Sequence, residues 1–346
     1  MKTAPLAAVF ALAAATAFAQ SPRLVHGSVT TVAAAGDLAA QVRAARTKYV
    51  AYAVPEVEGQ RVMCCFNYFG EFRSGGKCML DSSNNFFSND DSDDPRPRTN
   101  DTFAVVYRVE NGEIARVRSY SMECVLDANG AAVTWIEGVD PRKSVALIAS
   151  LFGPAGHRSD STMAVLAMHA DPSATTELER ILKAGDASDE WRGHAAFWLG
   201  QTRGRRGYED IRSIAQSPSA SPRLREKAVF ALSQSSEPEA IDELIKLAKH
   251  DPTPHVRGQA LFWLSQKAGK KAASAVREAL DDDPDQSVRE KAVFAVSQLP
   301  DDQSVPMLIQ LMKTHRDGGV RKKAAFWLGQ KKDPRALAAI EEVLRK

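Results

Sequence analysis

Counting from Phe230, one local pattern returns at Phe197, Phe262, Phe294 and Phe326, at steps of 33, 32, 32 and 32 residues. No other feature narrows the possible folds so far, because a self-similar period of this length describes stacked supersecondary units, each burying its apolar face against the next. Every copy has Arg five residues before the Phe (Arg192, Arg225, Arg257, Arg289, Arg321) and Gln four after it (Gln201, Gln234, Gln266, Gln298, Gln330). Between copies lies a second helical pattern, as in "EAIDELIKLAKH", where Ile241, Leu244, Ile245 and Ala248 share one face. Proline opens many of the connections, as in "SEPEA", "HDPTPH" and "KDPRA". Each repeat is therefore a helical hairpin. A weaker copy, Met163 to Leu182, lacks both the Phe and the Gln and reads as the atypical first unit, giving about six helix pairs over 161–346.

On a wheel of about 100° per residue, Leu224, Ala228, Ala231 and Leu232 form the buried stripe, while Phe230 falls on the side of Glu226, Lys227 and Gln234. This predicts a ladder of Phe and Gln along the outside of the first helices, with Phe230, Phe262 and Phe294 more exposed than Leu232, Leu264 and Val296. Neighbouring helices packed ~8–10 Å apart would give a strip ~35–40 Å long, a length suited to a protein partner. The alternative is that these rings and amides pack on one another and only reinforce the stack. The residue after the Phe alternates as Trp198, Ala231, Trp263, Ala295, Trp327, which makes the unit a pair of repeats. The wheel puts those Trp on the core side. The repeated Arg, near each helix start, is expected to reach a carboxylate or carbonyl of an adjoining loop, a structural ladder of charge-assisted bonds.

The period, the "VR-x-x-A" opening and the two-helix unit resemble HEAT repeats of the short bacterial type. That resemblance covers 161–346 and implies an all-α solenoid used mainly for protein–protein contact. Some HEAT-repeat proteins are di-iron hydroxylases, whose resemblance would require His-Glu dipeptides at the helix starts. None of the seven His is followed by Glu. Bilin lyases of phycobilisomes also use such repeats, but an exported chain is in the wrong compartment for them.

Residues 20–160 have a different texture and hold all four cysteines, Cys64, Cys65, Cys78 and Cys124. "GDLAAQVRAAR" reads as a helix, and "KYVAYAVPEV", "TFAVVYRVE" and "EIARVRSYSMEC" as strands, the last two joined by the hairpin signal Asn111-Gly112. The expectation is a smaller α+β module with an antiparallel sheet. Ahead of it, "MKTAPLAAVFALAAATAFA" has a Lys at position 2, a short apolar run and small residues at Ala17 and Ala19, the layout of a secretory signal over 1–19. The mature chain would begin at Gln20, in the periplasm or outside the cell, without an integral membrane segment or lipid-bearing cysteine. Four Cys in an exported chain favour two disulfides, with three connectivities open; the pairing of adjacent Cys64 and Cys65 would be strained. A four-cysteine metal site lacks its usual spacing.

The charge balance, 45 basic against 43 acidic residues, gives no field that calls for nucleic acid. The acidic loop Asn89 to Asp101 lacks the central Gly and closing Glu of a calcium loop, and Asn100 begins a glycosylation triplet. "GEFRSGGKC" misplaces a glycine for a phosphate-binding loop, and neither G-x-S-x-G nor H-E-x-x-H occurs. The sequence thus points to an exported, non-catalytic interaction scaffold without cofactor or metal. The alternative is an N-terminal module that binds a small ligand or performs chemistry, with the solenoid as its support.

Overall fold

The computed structural model describes residues 21–59, 78–81, 101–152, 160–267 and 272–345. The secretory segment 1–19, Cys64, Cys65, Asn100 and most of the acidic loop lie outside these. Two compact units divide at Leu147 and Ile148, with Val57–Gln60 belonging to the second.

In the first unit, β1 (Arg23–Val25), β2 (Ser28–Ala33), α1 (Leu38–Ala44), β3 (Tyr49–Pro55), β4 (Cys78–Met79), β5 (Thr102–Glu110), β6 (Glu113–Ser121), β7 (Val125–Asp127) and β8 (Ala132–Glu137) precede α2 (Pro141–Ser150), within which the boundary falls. The predicted hairpin is present. β5 and β6 pair antiparallel, and Asn111 and Gly112 both take positive φ, 52° and 78°, as a two-residue turn between twisted strands requires. The α+β class holds, and the expected antiparallel pairing is found in β3-β5-β6, but the five-stranded sheet as a whole, in the order β2-β8-β3-β5-β6, is mixed. β8 runs parallel to both β2 and β3, and a second sheet, β1-β7-β4, is parallel throughout. Parallel neighbours must come from distant parts of the chain, so local turn signals cannot announce them.

One face of the larger sheet carries Tyr49, Ala51, Ala104, Val106, Val133 and Trp135, which pack with Cys78 and Leu126 of the smaller one and with Leu80 and Cys124 beside its strands into a single core. Both cysteines are buried there, and neither is a free thiol. On the opposite face the hydroxyls of Tyr52, Tyr107 and Ser144 form a buried chain, 2.7 and 2.8 Å between oxygens. Burial pushes the phenol of Tyr107 far up, so these groups serve as neutral hydrogen-bonding partners.

Beyond α2 the described elements of the second unit are helices. Its six pairs are α3 (Asp160–Met168) with α4 (Pro172–Lys183), α5 (Asp189–Thr202) with α6 (Gly204–Gln216), α7 (Pro222–Gln234) with α8 (Glu239–His250), α9 (Pro254–Lys267) with α10 (Ala272–Asp282), α11 (Gln286–Ser297) with α12 (Asp301–Thr314), and α13 (Gly318–Gly329) with α14 (Pro334–Leu344). First helices begin on side-chain caps: Ser188, Ser221, Asp285 and Asp317 each accept from backbone N–H groups of the first turn. Proline at the first position of α7 removes a donor that would have no partner there. The buried stripe of α7 runs through Leu224, Ala228, Val229, Ala231 and Leu232, and α9 and α11 repeat it with Val256, Ala260, Leu261, Leu264 and with Val288, Ala292, Val293, Ala295, Val296.

Candidate functional site: an aromatic ladder on the first helices

The five repeated Phe lie at the margin of that stripe. Phe197, Phe230, Phe262 and Phe294 are half-buried and Phe326 is 55% exposed, whereas Leu232, Leu264 and Val296 are fully buried. The rings form one continuous series. Phe197 stacks on Phe230 with centroids 5.6 Å apart and planes within 7°, and Phe262 stacks on Phe294 at 5.5 Å and 9°. Between these stacks the path runs through indoles. Phe230 meets Trp263 at 4.7 Å, and Trp263 stands edge-on to Phe262 at 4.8 Å. Phe294 meets Trp327 at 5.0 Å, and Trp327 meets Phe326 at 5.1 Å.

The placement of the Trp on the core side is therefore incorrect. Trp198, Trp263 and Trp327 are half-buried members of the ladder. The wheel gives the direction of the Cα–Cβ bond, and at that position Ala231 and Ala295 are indeed buried, at 0% and 1% exposure. An indole is too large for the space an alanine occupies between packed helices, so its side-chain torsions carry it outward onto the preceding Phe.

The five Gln sit one turn beyond the Phe, at the C-terminal ends of the first helices. Gln201 and Gln234 are half-buried, while Gln266, Gln298 and Gln330 are exposed. Gln234 and Gln298 donate to Ser233 and Ser297, whose hydroxyls in turn donate to the carbonyls of Phe230 and Phe294 at 2.6 and 2.7 Å. The amides thus line the ladder without joining the ring stack.

The repeated Arg lies on the other side of the helices. Arg257 holds Asp283 with two bonds, Nε to Oδ2 at 2.7 Å and Nη2 to Oδ1 at 2.8 Å, and donates from Nη1 to the Asp251 carbonyl at 2.8 Å. Arg289 donates from Nε and Nη2 to the one oxygen Oδ2 of Asp317, at 2.9 and 2.6 Å, and from Nη1 to the Asp283 carbonyl, and Arg225 bonds Asp251. Each aspartate belongs to the loop leading into the next first helix, where it also accepts backbone N–H groups. Arg192 has no such aspartate and donates to the Leu182 carbonyl at 2.9 Å; Arg321 donates to the carbonyls of His315 and Arg316. The Asp251, Asp283 and Asp317 series escaped sequence reasoning, although its signal was present: Asp recurs at nearly the repeat period, just ahead of the helix starts.

Two glycines and two lysines were also missed. A Cβ on Gly193 would stand 2.7 Å from Lys227 Cγ, and one on Gly258 would stand 2.4 Å from Lys291 Cδ. Each glycine is a notch into which the next first helix lays a lysine stem. Lys227 continues to Glu190 at 2.6 Å, and these contacts, with a bond from Arg223, hold the Glu190 carboxyl down at about 2. At the second notch His255 stands where Glu190 stands in the first, and the Lys291 ammonium is buried without a hydrogen-bond partner. Burial lowers its pKa. Among the described residues no group of three or more His, Cys, Asp or Glu is placed to hold a metal ion, and no helix is long and apolar enough to cross a membrane.

Residues 175–265 and 273–346 match the family of HEAT repeats. Among solved structures the chain is similar to the YibA protein of E. coli (20% identity, covering 56% of this chain and 71% of that one, TM-score 0.39). It is similar also to the complex of CpcE and CpcF of phycocyanin lyase from Nostoc sp. (20%, 50% and 70%, TM-score 0.35) and to human deoxyhypusine hydroxylase in complex with glycerol (19%, 58% and 90%, TM-score 0.27). No curated protein matches the chain. The family match and the five-fold pattern of Arg, Phe and Gln together make the helical array of α4 to α14 a run of HEAT repeats.

Proposed function

We propose that the protein is an exported, non-catalytic scaffold whose HEAT array holds a protein partner along the aromatic ladder. The observation that carries this reading is the side exposure of the ladder. Its rings follow one another along the array, Phe stacked on Phe and Phe edge-on or tilted to Trp, yet keep a solvent-exposed margin, and the exposed Gln266, Gln298 and Gln330 border them. Apolar rings with a row of hydrogen-bonding groups alongside are the composition of a protein-binding surface. Stacking between repeats accounts for the buried part of each ring; the exposed margin is left for the partner. Export is supported by the secretory layout of residues 1–19 and by four cysteines expected to form two disulfides.

The test must block the strip without unstacking it. Gln266→Arg, Gln298→Arg and Gln330→Arg change exposed positions at the helix ends and leave every ring in place. Photo-crosslinkers at the same three positions, in the native extracytoplasmic fraction, are expected to capture one specific protein whose binding the triple Arg variant abolishes. A partner that binds the triple variant as well as the wild type would move the binding site to the cysteine-bearing unit.

A further inference from the structure

The alternation of Trp and Ala after the repeated Phe coincides with a second alternation. Where the following first helix carries Ala231 or Ala295, the preceding one carries Gly193 or Gly258, and the glycine receives a lysine stem. At the α5/α7 joint Gly200 adds another close approach, its would-be Cβ 2.8 Å from the Ala231 carbonyl oxygen. At the two intervening joints, α7/α9 and α11/α13, the notch position holds Glu226 or Glu290, and the following helix carries Trp263 or Trp327. The rings record the difference. A single stacked step of about 5.5 Å spans a glycine joint. Two steps, 4.7 and 4.8 Å, are needed to pass from Phe230 through Trp263 to Phe262.

We propose that the array is built from alternating tight and wedged joints, with Trp263 and Trp327 as the wedges at which it bends. At a glycine joint the contact is side chain against backbone. Such a joint cannot close further, and opening it would uncover peptide groups and the lysine stem together. At a wedged joint the contact is ring against ring, on side chains that turn about two torsions, and edge-to-face and tilted aromatic pairs hold over a range of geometries. The Trp327 indole N–H is buried without an acceptor, so ring packing and not a hydrogen bond sets its place. Sliding of packed helices is the small-amplitude motion such contacts permit. The array then adjusts to a partner in blocks of two repeats: α5 to α8 as one body and α9 to α12 as the next.

Paired nitroxides, introduced through a non-canonical residue so that the native cysteines are untouched, test this in the full chain. One pair at positions 234 and 266 spans a wedged joint, and another at 266 and 298 spans a glycine joint. The first pair is expected to give the broader distance distribution. In Trp263→Ala that distribution should narrow and its centre shorten by about 3–4 Å, the thickness of a ring in van der Waals contact, leaving the second pair unchanged. Gly258→Ala is the converse and should lengthen the second distance only. Equal widths in the wild type would overturn the proposal, as would no shift in the first pair of a folded Trp263→Ala protein. Should Trp263→Ala fail to fold, the wild-type comparison and Gly258→Ala still decide the matter.

Discussion

Replacing Arg257 with Leu should be among the most damaging single changes available in the array. Arg257 and Asp283 are 8% and 6% exposed, so their bidentate bonds at 2.7 and 2.8 Å are made almost out of water. Removing the guanidinium leaves the carboxylate buried with the Asp285 N–H, at 2.9 Å, as its remaining hydrogen bond, and strands the Asp251 carbonyl that Nη1 had satisfied. Breaking a buried pair from one side costs roughly 3–5 kcal/mol, because the partner's charge stays behind. For an array of about 200 residues this corresponds to a fall in melting temperature of roughly 6–20 °C. The double variant Arg257→Leu/Asp283→Asn removes the stranded charge and should recover at least a third of the loss, giving a coupling energy above about 1 kcal/mol. Arg192→Leu is the internal control. Arg192 reaches a carbonyl at 2.9 Å and Asp189 only at 3.7 Å, and should cost about 1 kcal/mol. Urea titrations followed by tryptophan fluorescence measure all three, with Trp263 and Trp327 reporting from the affected repeats. A loss below about 1 kcal/mol for Arg257→Leu, or one no larger than for Arg192→Leu, would refute the view that the Arg–Asp clasps hold successive repeats together.

Three further outcomes are expected. Lys291→Met keeps the stem in the Gly258 notch and removes a buried ammonium without a hydrogen-bond partner; stability at neutral pH should rise by about 1 kcal/mol, and the gain should shrink as pH rises toward the lysine range. Asp317 is held below its usual 3.8 by Arg289, and Glu190 at about 2 against 4.5, so their stabilisation is complete above those ordinary values and is lost as pH falls through the depressed ones. A melting temperature flat from pH 7 to 5 and falling toward pH 2, with a shallower fall in Asp317→Asn, is the expected profile. In the purified protein no thiol should react under non-reducing denaturation; two or more reactive thiols would remove the disulfide reading.

What the sequence made legible was whatever repeats. Arg, Phe and Gln recur at fixed offsets, so helix pairs, the buried stripe and the Phe margin could all be read from one copy and checked on four others. Phe230 and Leu232 are two residues apart, about 200° on the wheel, and their difference in burial follows from that angle. Trp263 was misplaced because a wheel knows direction and not volume: it treats Trp263 and Ala231 as equivalent, and only the facing Glu226 and Gly193 distinguish their surroundings. The Gly258 and Lys291 contact crosses between repeats, so neither residue signals it alone. The β2 and β8 pairing joins Ser28 to Ala132 across more than a hundred residues, in a parallel arrangement with no connecting turn to mark it.

The alternation of joints also sets the step by which such an array can change length. Removing one repeat would bring two glycine-bearing helices or two glutamate-bearing helices together, and either a lysine would lose its notch or a glycine notch would face a tryptophan-bearing helix with no lysine to fill it. Excising two, for example the 64 residues from Phe230 to Val293, rejoins Val229 to Phe294 in an unaltered reading of the pattern. Growth and loss by pairs would leave every surviving interface of a kind the molecule already contains, so the four-helix block, and not the hairpin, is the step by which this array can change length without a new kind of joint.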